Sequence, residues 1–127
     1  MGTITLIVRG TTSDHDTFID LATQARAHVT EHEPDTILYE CYTNPATSHF
    51  VWHEIYRDDQ AALQHIHNLM GTGLPLRVAE VVDWEAMTVL GAIENEDLLG
   101  ALEGMCAEAN IEFRQFTNAA VQMAEPS

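Results

Sequence analysis

The chain contains no lysine, and its only fixed positive charges are five arginines set against 20 acidic residues, which gives a net charge of −15. Proteins bind DNA and RNA through clustered cations that displace counterions from the phosphates. Dispersed arginines cannot form such a cluster, so the sequence argues against nucleic acid and against an anionic membrane surface as partners. We interpret the acidity mainly as a solubility feature.

Cysteine is scarce, and long apolar runs are absent. The sequence predicts that Cys41 and Cys106 are free, buried thiols in a reducing cytoplasm, since a domain of this size does not need a disulfide. No stretch approaches the roughly 20 apolar residues of a membrane span. Residues 1–9 also lack the features of a secretory signal peptide. We therefore expect a cytoplasmic protein with no membrane partner.

The patterns that are present predict one α+β domain over residues 1–127. Alternating apolar and polar positions favour strands, and apolar positions at helical spacing favour helices. The predicted strands are 3–9, 36–43, 48–56 and 84–91, and the predicted helices begin near Ser13, Asp58 and Asn95. Residues 111–116 have the pattern of a short closing strand, and residues 76–82 are open between helix and loop.

This order is β-α-β-β-α-β with an extra C-terminal helix, which predicts a ferredoxin-like split βαβ fold with a four-stranded antiparallel sheet. The core covers about residues 3–91, and the C-terminal helix and tail cover 92–127. Phe50, Trp52 and Tyr56 lie on one side of the third strand, while Val51 and Ile55 lie on the other. Helices can cover only one of these two apolar faces. We therefore predict a homodimer whose sheets pack face to face.

The segment 50–65 is the most informative part of the sequence. Its strand places Trp52, Glu54 and Tyr56 on one face, and the capped helix that follows brings His65 close to the end of that strand. Two acid–base groups and two aromatic side chains therefore come from adjacent elements. This grouping predicts a pocket for a flat organic molecule.

The chain resembles the antibiotic biosynthesis monooxygenase (ABM) domain family of small dimeric α+β barrels over about residues 3–91. The resemblance depends on the segment Trp52-His53-Glu54-Ile55-Tyr56 and on the following helix with His65. Pro34-Asp35 and Tyr39-Glu40 stand where the family has Pro-Gly and a Tyr-Glu pair. Asp35 in place of Gly, and Tyr56 where Trp is common, are departures from the family pattern.

The resemblance implies a cofactor-independent monooxygenase that acts on an aromatic phenol, anthrone or quinol. Such an enzyme needs a base and aromatic walls in a site without water. We expect His65 and Glu54 to be catalytic and to handle protons, and we expect Trp52, Tyr56 and Tyr42 to bind the substrate ring. No cofactor is expected, and the partners are a second copy of the chain and a small aromatic molecule.

Other interpretations remain open from the sequence. The protein could be a non-catalytic dimer that binds a small molecule, or an isomerase or lyase on the same barrel. Glu54 could pair with Arg57 or Arg77, and His65 could be a hydrogen-bonded core histidine. The three aromatic side chains could belong to the core or to the dimer interface.

The seven histidines do not form a metal motif. His65 and His67 are about 200° apart around a helix axis, so they cannot bind one ion together. His28 and His32 have the better spacing, but no further ligand completes a recognisable zinc site. The sequence also lacks a phosphate-binding loop and a nucleophile with an activating partner. The predicted metal content is therefore none.

Overall fold

The structure is a computed structural model that describes residues 2–119 of the chain. The described elements are the strands β1 (Ile4–Thr12), β2 (Thr36–Asn44), β3 (His49–Tyr56), β4 (Val82–Leu90) and β5 (Glu112–Phe116), and the helices α1 (His15–His32), α2 (Asp59–Met70), α3 (Leu74–Ala79) and α4 (Glu96–Ala109). Their order confirms the predicted α+β class. The segment that was open between helix and loop forms the short helix α3.

The sheet has five strands in the order β2-β3-β1-β4-β5. The sheet therefore contains one strand more than the four antiparallel strands that the sequence predicted. The fifth strand is the predicted closing segment, and it pairs parallel to β4, with Leu90 beside Phe116. A parallel neighbour requires a crossover connection, and α4 supplies it. The other strand pairs are antiparallel, so the sheet is mixed.

Side-chain oxygens cap the N-termini of α1 and α2. Asp58 accepts a hydrogen bond from the backbone of Ala61 at the start of α2, as the sequence predicted. Helix α1 begins one residue later than predicted, because Asp14 rather than Ser13 accepts from the backbone of Thr17. A carboxylate at this position also suits the positive end of the helix dipole.

All four described helices pack on one face of the sheet and form two adjacent core clusters. Residues from α2 and α4 pack on Ile4, Leu6 and Val89, whereas residues from α1 and α3 pack on Phe50 and Trp52. None of the described helices is long and apolar enough to cross a membrane.

None of these helices covers the opposite face of the sheet. The strand registers place large apolar side chains there, including Ile7, Val51, Ile55, Leu90 and Phe116. Val51 is 37% exposed and Leu90 is 42% exposed in the single chain. Apolar side chains therefore occur on both faces of β3, as predicted, but the uncovered face also carries polar side chains such as Thr5, Arg9 and Thr88.

Candidate active site

Strand β3 carries a row of buried side chains toward the helices. Trp52, Glu54 and Tyr56 are all buried, and the intervening His53 and Ile55 are only partly covered. Successive strand residues point to opposite faces, so these three side chains share the helix-covered face. Glu54 is thereby placed in an apolar layer, where an ionised carboxylate needs partners.

Helix α2 supplies the facing histidine. His65 is 4% exposed and belongs to the same buried stripe of the helix as Ala61 and Ala62. Its ring centroid lies 5.1 Å from the Tyr39 ring and 5.1 Å from the Tyr56 ring. The imidazole is therefore held between two aromatic side chains and has little rotational freedom.

Glu33 is the third ionisable group of the site. Its Oε1 atom lies 2.8 Å from Nδ1 of His65, and it also accepts a hydrogen bond of 2.9 Å from the Thr36 hydroxyl. The side chain is 3% exposed. Glu33 ends α1 directly before Pro34, where the backbone leaves the helical conformation, and this turn directs the side chain inward.

The three groups form one chain of contacts across the domain. Nε2 of His65 lies 3.5 Å from Oε1 of Glu54, and the same carboxylate oxygen accepts a hydrogen bond from the Tyr56 hydroxyl. With Nδ1–H directed to Glu33, the second ring nitrogen faces Glu54. The arrangement can therefore pass one proton between the imidazole and the Glu54 carboxylate.

Burial and charge shift the pKa values of Glu54 and His65. Burial raises the pKa of the Glu54 carboxyl, although His65 and the hydrogen bond from Tyr56 oppose that rise. Burial alone would lower the pKa of His65. The hydrogen bond to Glu33 and the charges of Glu54 and Glu33 outweigh this effect, and the pKa of His65 is therefore raised. Both shifts favour the protonated form of the group, so each side chain holds its proton to a higher pH than it would in water.

A cavity of about 400 Å³ lies beside this chain of contacts, between the sheet and the helices. Its lining includes Glu54 and His65 together with the aromatic side chains of Tyr39, Trp52 and Trp84. Most of the remaining lining is aliphatic and comes from α2, α3 and α4. A proton acceptor therefore borders an apolar space of the size that small organic ligands occupy.

The structure brings together four of the five residues selected from the sequence. Trp52, Glu54 and His65 line the cavity, and Tyr56 lies behind Glu54 as its hydrogen-bond donor. Tyr56 is fully buried, so it acts on the site through Glu54 and does not form a wall of the cavity.

Tyr42 lies apart from the other selected residues. It pairs with Val51 across β2 and β3, which places it on the opposite face of the sheet from Trp52. It is 54% exposed, and its hydroxyl donates to Glu40. Tyr39, which pairs with Glu54, occupies the cavity wall that we expected Tyr42 to form.

Sequence reasoning missed Glu33 and the role of Tyr39. The register of the β2–β3 hairpin could have identified Tyr39, because a residue opposite Glu54 must lie on the same face of the sheet as Glu54. The signal for Glu33 was weaker. A glutamate directly before a proline at a helix end leaves the helix surface, but its contact with a histidine 32 residues later depends on tertiary packing.

The described residues contain neither a metal-binding cluster nor an activated cysteine. Between residues 2 and 119, no group of three or more His, Cys, Asp or Glu side chains could hold a metal ion. Cys41 and Cys106 are free thiols, as predicted, but only Cys106 is fully buried and Cys41 is partly buried. Burial, followed by the charge of Glu54, raises the pKa of the Cys41 thiol to about 12, which leaves it protonated and unreactive near neutral pH.

No protein-family model and no curated protein sequence matches the chain, but several solved structures are similar to it. MupZ from Pseudomonas fluorescens superimposes with a TM-score of 0.70 at 16% identity and covers 100% of both chains. SnoaB, a cofactor-independent oxygenase from Streptomyces nogalater, has a TM-score of 0.63 at 11% identity and covers 76% of this chain and 98% of its own.

A protein from Caulobacter crescentus, provisionally assigned as an antibiotic biosynthesis monooxygenase, has a TM-score of 0.63 at 16% identity over 73% of this chain and 92% of its own. At these identities the likeness establishes the fold and not the reaction. The chain therefore has the fold of the antibiotic biosynthesis monooxygenase-like proteins, in agreement with the resemblance seen in its sequence.

Proposed function

We propose that the protein is a cofactor-independent monooxygenase that acts on a phenol, anthrone or quinol bound in the apolar cavity. The observation that carries this proposal is the buried contact chain Glu33–His65–Glu54 at the border of that cavity. An oxygenase of this kind needs a base near its substrate, because only the deprotonated substrate transfers an electron readily to dioxygen. The similarity in fold to SnoaB supports the same reaction class.

Each group has a distinct role in the proposed mechanism. His65, with Glu54 beside it, takes the proton of the substrate hydroxyl. Glu33 holds the imidazole in place and balances the positive charge that it gains. Tyr39 and Trp52 contact the ring of the substrate. The resulting anion then lies next to an imidazolium at the buried end of the cavity.

The oxidation balances without a cofactor. The substrate anion transfers one electron to dioxygen, and the resulting radical and superoxide combine to form a carbon–oxygen bond. For an anthrone methylene, the peroxide then loses water as the carbonyl forms. The carbon has lost two hydrogens and gained one oxygen atom, and the second oxygen atom leaves in the water. The protonated His65 supplies a proton to the departing oxygen.

We further propose that the protein acts as a homodimer in the cytoplasm. The uncovered, partly apolar face of the sheet suits a second copy of the chain, since faces of this kind are seldom left in water. The two free thiols are consistent with a reducing compartment.

Oxygen uptake with a panel of hydroxylated anthrones and quinols tests the proposed reaction. We expect saturable uptake with one labelled oxygen atom from dioxygen in the product, and we expect His65→Ala to lower turnover by about tenfold or more. Binding without oxygen uptake above the uncatalysed rate would contradict the reaction and favour a binding protein. Conversion of substrate without oxygen uptake would favour an isomerase or lyase.

A further inference from the structure

The cavity has two chemically different ends. Glu54, His65, Tyr39 and Trp52 form a polar and aromatic end, and all four are buried. The remainder is lined mainly by aliphatic side chains and methionines, together with Trp84 and Glu108, and includes exposed residues of α2, α3 and α4. We infer that the substrate is an uncharged phenol or quinol with an alkyl side chain, whose ring lies at the polar end and whose chain extends along the aliphatic part. This inference rests on the proposed function and specifies its substrate class.

The exposed side chains show where the alkyl chain would leave the cavity. Met70 is 55% exposed, Leu76 is 71% exposed and Met105 is 41% exposed, and all three line the cavity. They come from α2, α3 and α4, respectively. An aliphatic chain passing between these residues would cover large apolar groups that otherwise contact water.

The charges around the cavity restrict the substrate further. Among the residues that the structure describes, no arginine lines the cavity, whereas Glu54 and Glu108 do. Along the aliphatic part of the cavity, away from His65, a carboxylate, sulfate or phosphate on the substrate would find no arginine and would be repelled by Glu108. The net charge of −15 adds the same repulsion at long range. A neutral substrate becomes an anion only beside His65, where the proposed reaction needs the charge.

Trp52 provides a reason for an oxygen substituent on the ring. Its Nε1 atom is buried and has no hydrogen-bond partner among residues 2–119. Burial and the charges of Glu54 and Glu33 raise the pKa of Tyr39, and the neighbouring Trp52 side chain offsets part of that rise. Trp52 and Tyr39 are nevertheless not in hydrogen-bond geometry. Trp52 lines the cavity, and a buried donor without a partner favours any ligand oxygen that can reach it. A hydroxyl or carbonyl oxygen on the substrate ring would accept this hydrogen bond.

Binding can be measured without turnover, because both tryptophans of the chain, Trp52 and Trp84, line the cavity. We would titrate phenol and para-alkylphenols from methyl to pentyl under nitrogen and follow tryptophan fluorescence. Each added methylene should tighten binding by about three- to fourfold. The matching para-hydroxyphenylbutanoate, of similar length but anionic, should bind at least about tenfold more weakly than pentylphenol.

Two variants in α4 distinguish insertion of the alkyl chain into the cavity from a general preference of the protein for hydrophobic ligands. Ala109 lines the cavity and is exposed, whereas Ala107 is exposed on the same helix outside the lining. Ala109→Phe should remove most of the gain from chain length and leave the affinity for phenol itself within about twofold. Ala107→Phe should behave like the unmodified protein.

The outcomes distinguish this inference from the proposed reaction. Affinity that does not increase with chain length, or equal binding of the neutral and anionic probes, would overturn the inferred substrate class. An equal response of the Ala109 and Ala107 variants would do the same. If the binding pattern is observed but aerobic samples with alkyl-substituted quinols and hydroxylated anthrones show no oxygen uptake, the inferred ligand class is retained and the proposed monooxygenase reaction is refuted.

Discussion

Nδ1 of His65 lies 2.8 Å from Oε1 of Glu33, although the two residues are 32 positions apart in the sequence and lie in different structural elements. Both side chains are almost fully buried, at 5% and 3% exposure. A carboxylate in this position orients the imidazole and favours its charged form. This contact makes a histidine in an apolar layer suitable for proton transfer.

The first prediction concerns this contact and the dependence of stability on pH. The pKa of His65 is raised on folding, so its stabilising contribution is complete below its unfolded value of about 6.5 and is lost as the pH rises through the folded value. Glu33→Gln should therefore lower the free energy of unfolding by about 1–2 kcal/mol at pH 6. The loss should become smaller toward pH 9.

Urea denaturation at both pH values measures this difference. Glu31→Gln is a matched control, because Glu31 pairs with His32 at 3.8 Å on an exposed surface, where such pairs contribute little. A Glu33→Gln effect that is constant with pH, or that grows as the pH rises, would show that the raised pKa of His65 does not stabilise the fold.

The second prediction compares two residues that the sequence grouped and the structure separates. Glu54→Gln removes the carboxylate that faces both His65 and the cavity, so we expect turnover to fall by about tenfold or more. Tyr42→Phe changes a hydroxyl on the other face of the sheet, and we expect turnover within about twofold of the unmodified protein. Steady-state oxygen uptake with both variants checks this, and a larger loss in Tyr42→Phe would contradict the proposed position of the site.

The third prediction concerns the hydrogen bond from Tyr56 to Glu54. Tyr56→Phe leaves a buried carboxylate without its donor, and we expect the free energy of unfolding to decrease by about 1.5–3 kcal/mol at neutral pH. The same substitution at Tyr42, whose hydroxyl donates to Glu40 in an exposed contact, should cost less than about 0.5 kcal/mol. Equal decreases in the free energy of unfolding for the two variants, measured by chemical denaturation, would show that the buried hydrogen bond contributes no more to stability than the exposed one.

The fourth prediction concerns the uncovered sheet face. Val51 lies on that face and is 37% exposed, while Ile19 on α1 has a similar exposure of 39%. If the sheets of two copies pack together, Val51→Glu buries a charge in the interface and should convert the dimer to monomer. Ile19→Glu should leave the mass unchanged in sedimentation equilibrium. A monomeric unmodified protein at micromolar concentration would contradict the proposed dimer.

The positions of individual residues show how far the sequence could predict the site. The alternation of β3 placed Trp52, Glu54 and Tyr56 on one face, because strand geometry has a period of two. Tyr42 lies on the other face, because its pairing with Val51 fixes its direction and residue type alone carries no such information. The fifth strand was recognised only as a possible element, because five residues of pattern do not reveal which sheet edge they join.

The sequence by itself determined the β-α-β-β-α-β order, the apolar residues on both faces of β3 and the proximity of His65 to that strand. These features follow from local periodicity and capping, which act within a few residues. Only the tertiary structure decided that Glu33 contacts His65 and that α3 and α4 complete the cavity. Those contacts join residues far apart in the chain, and their geometry depends on how the helices pack against the sheet.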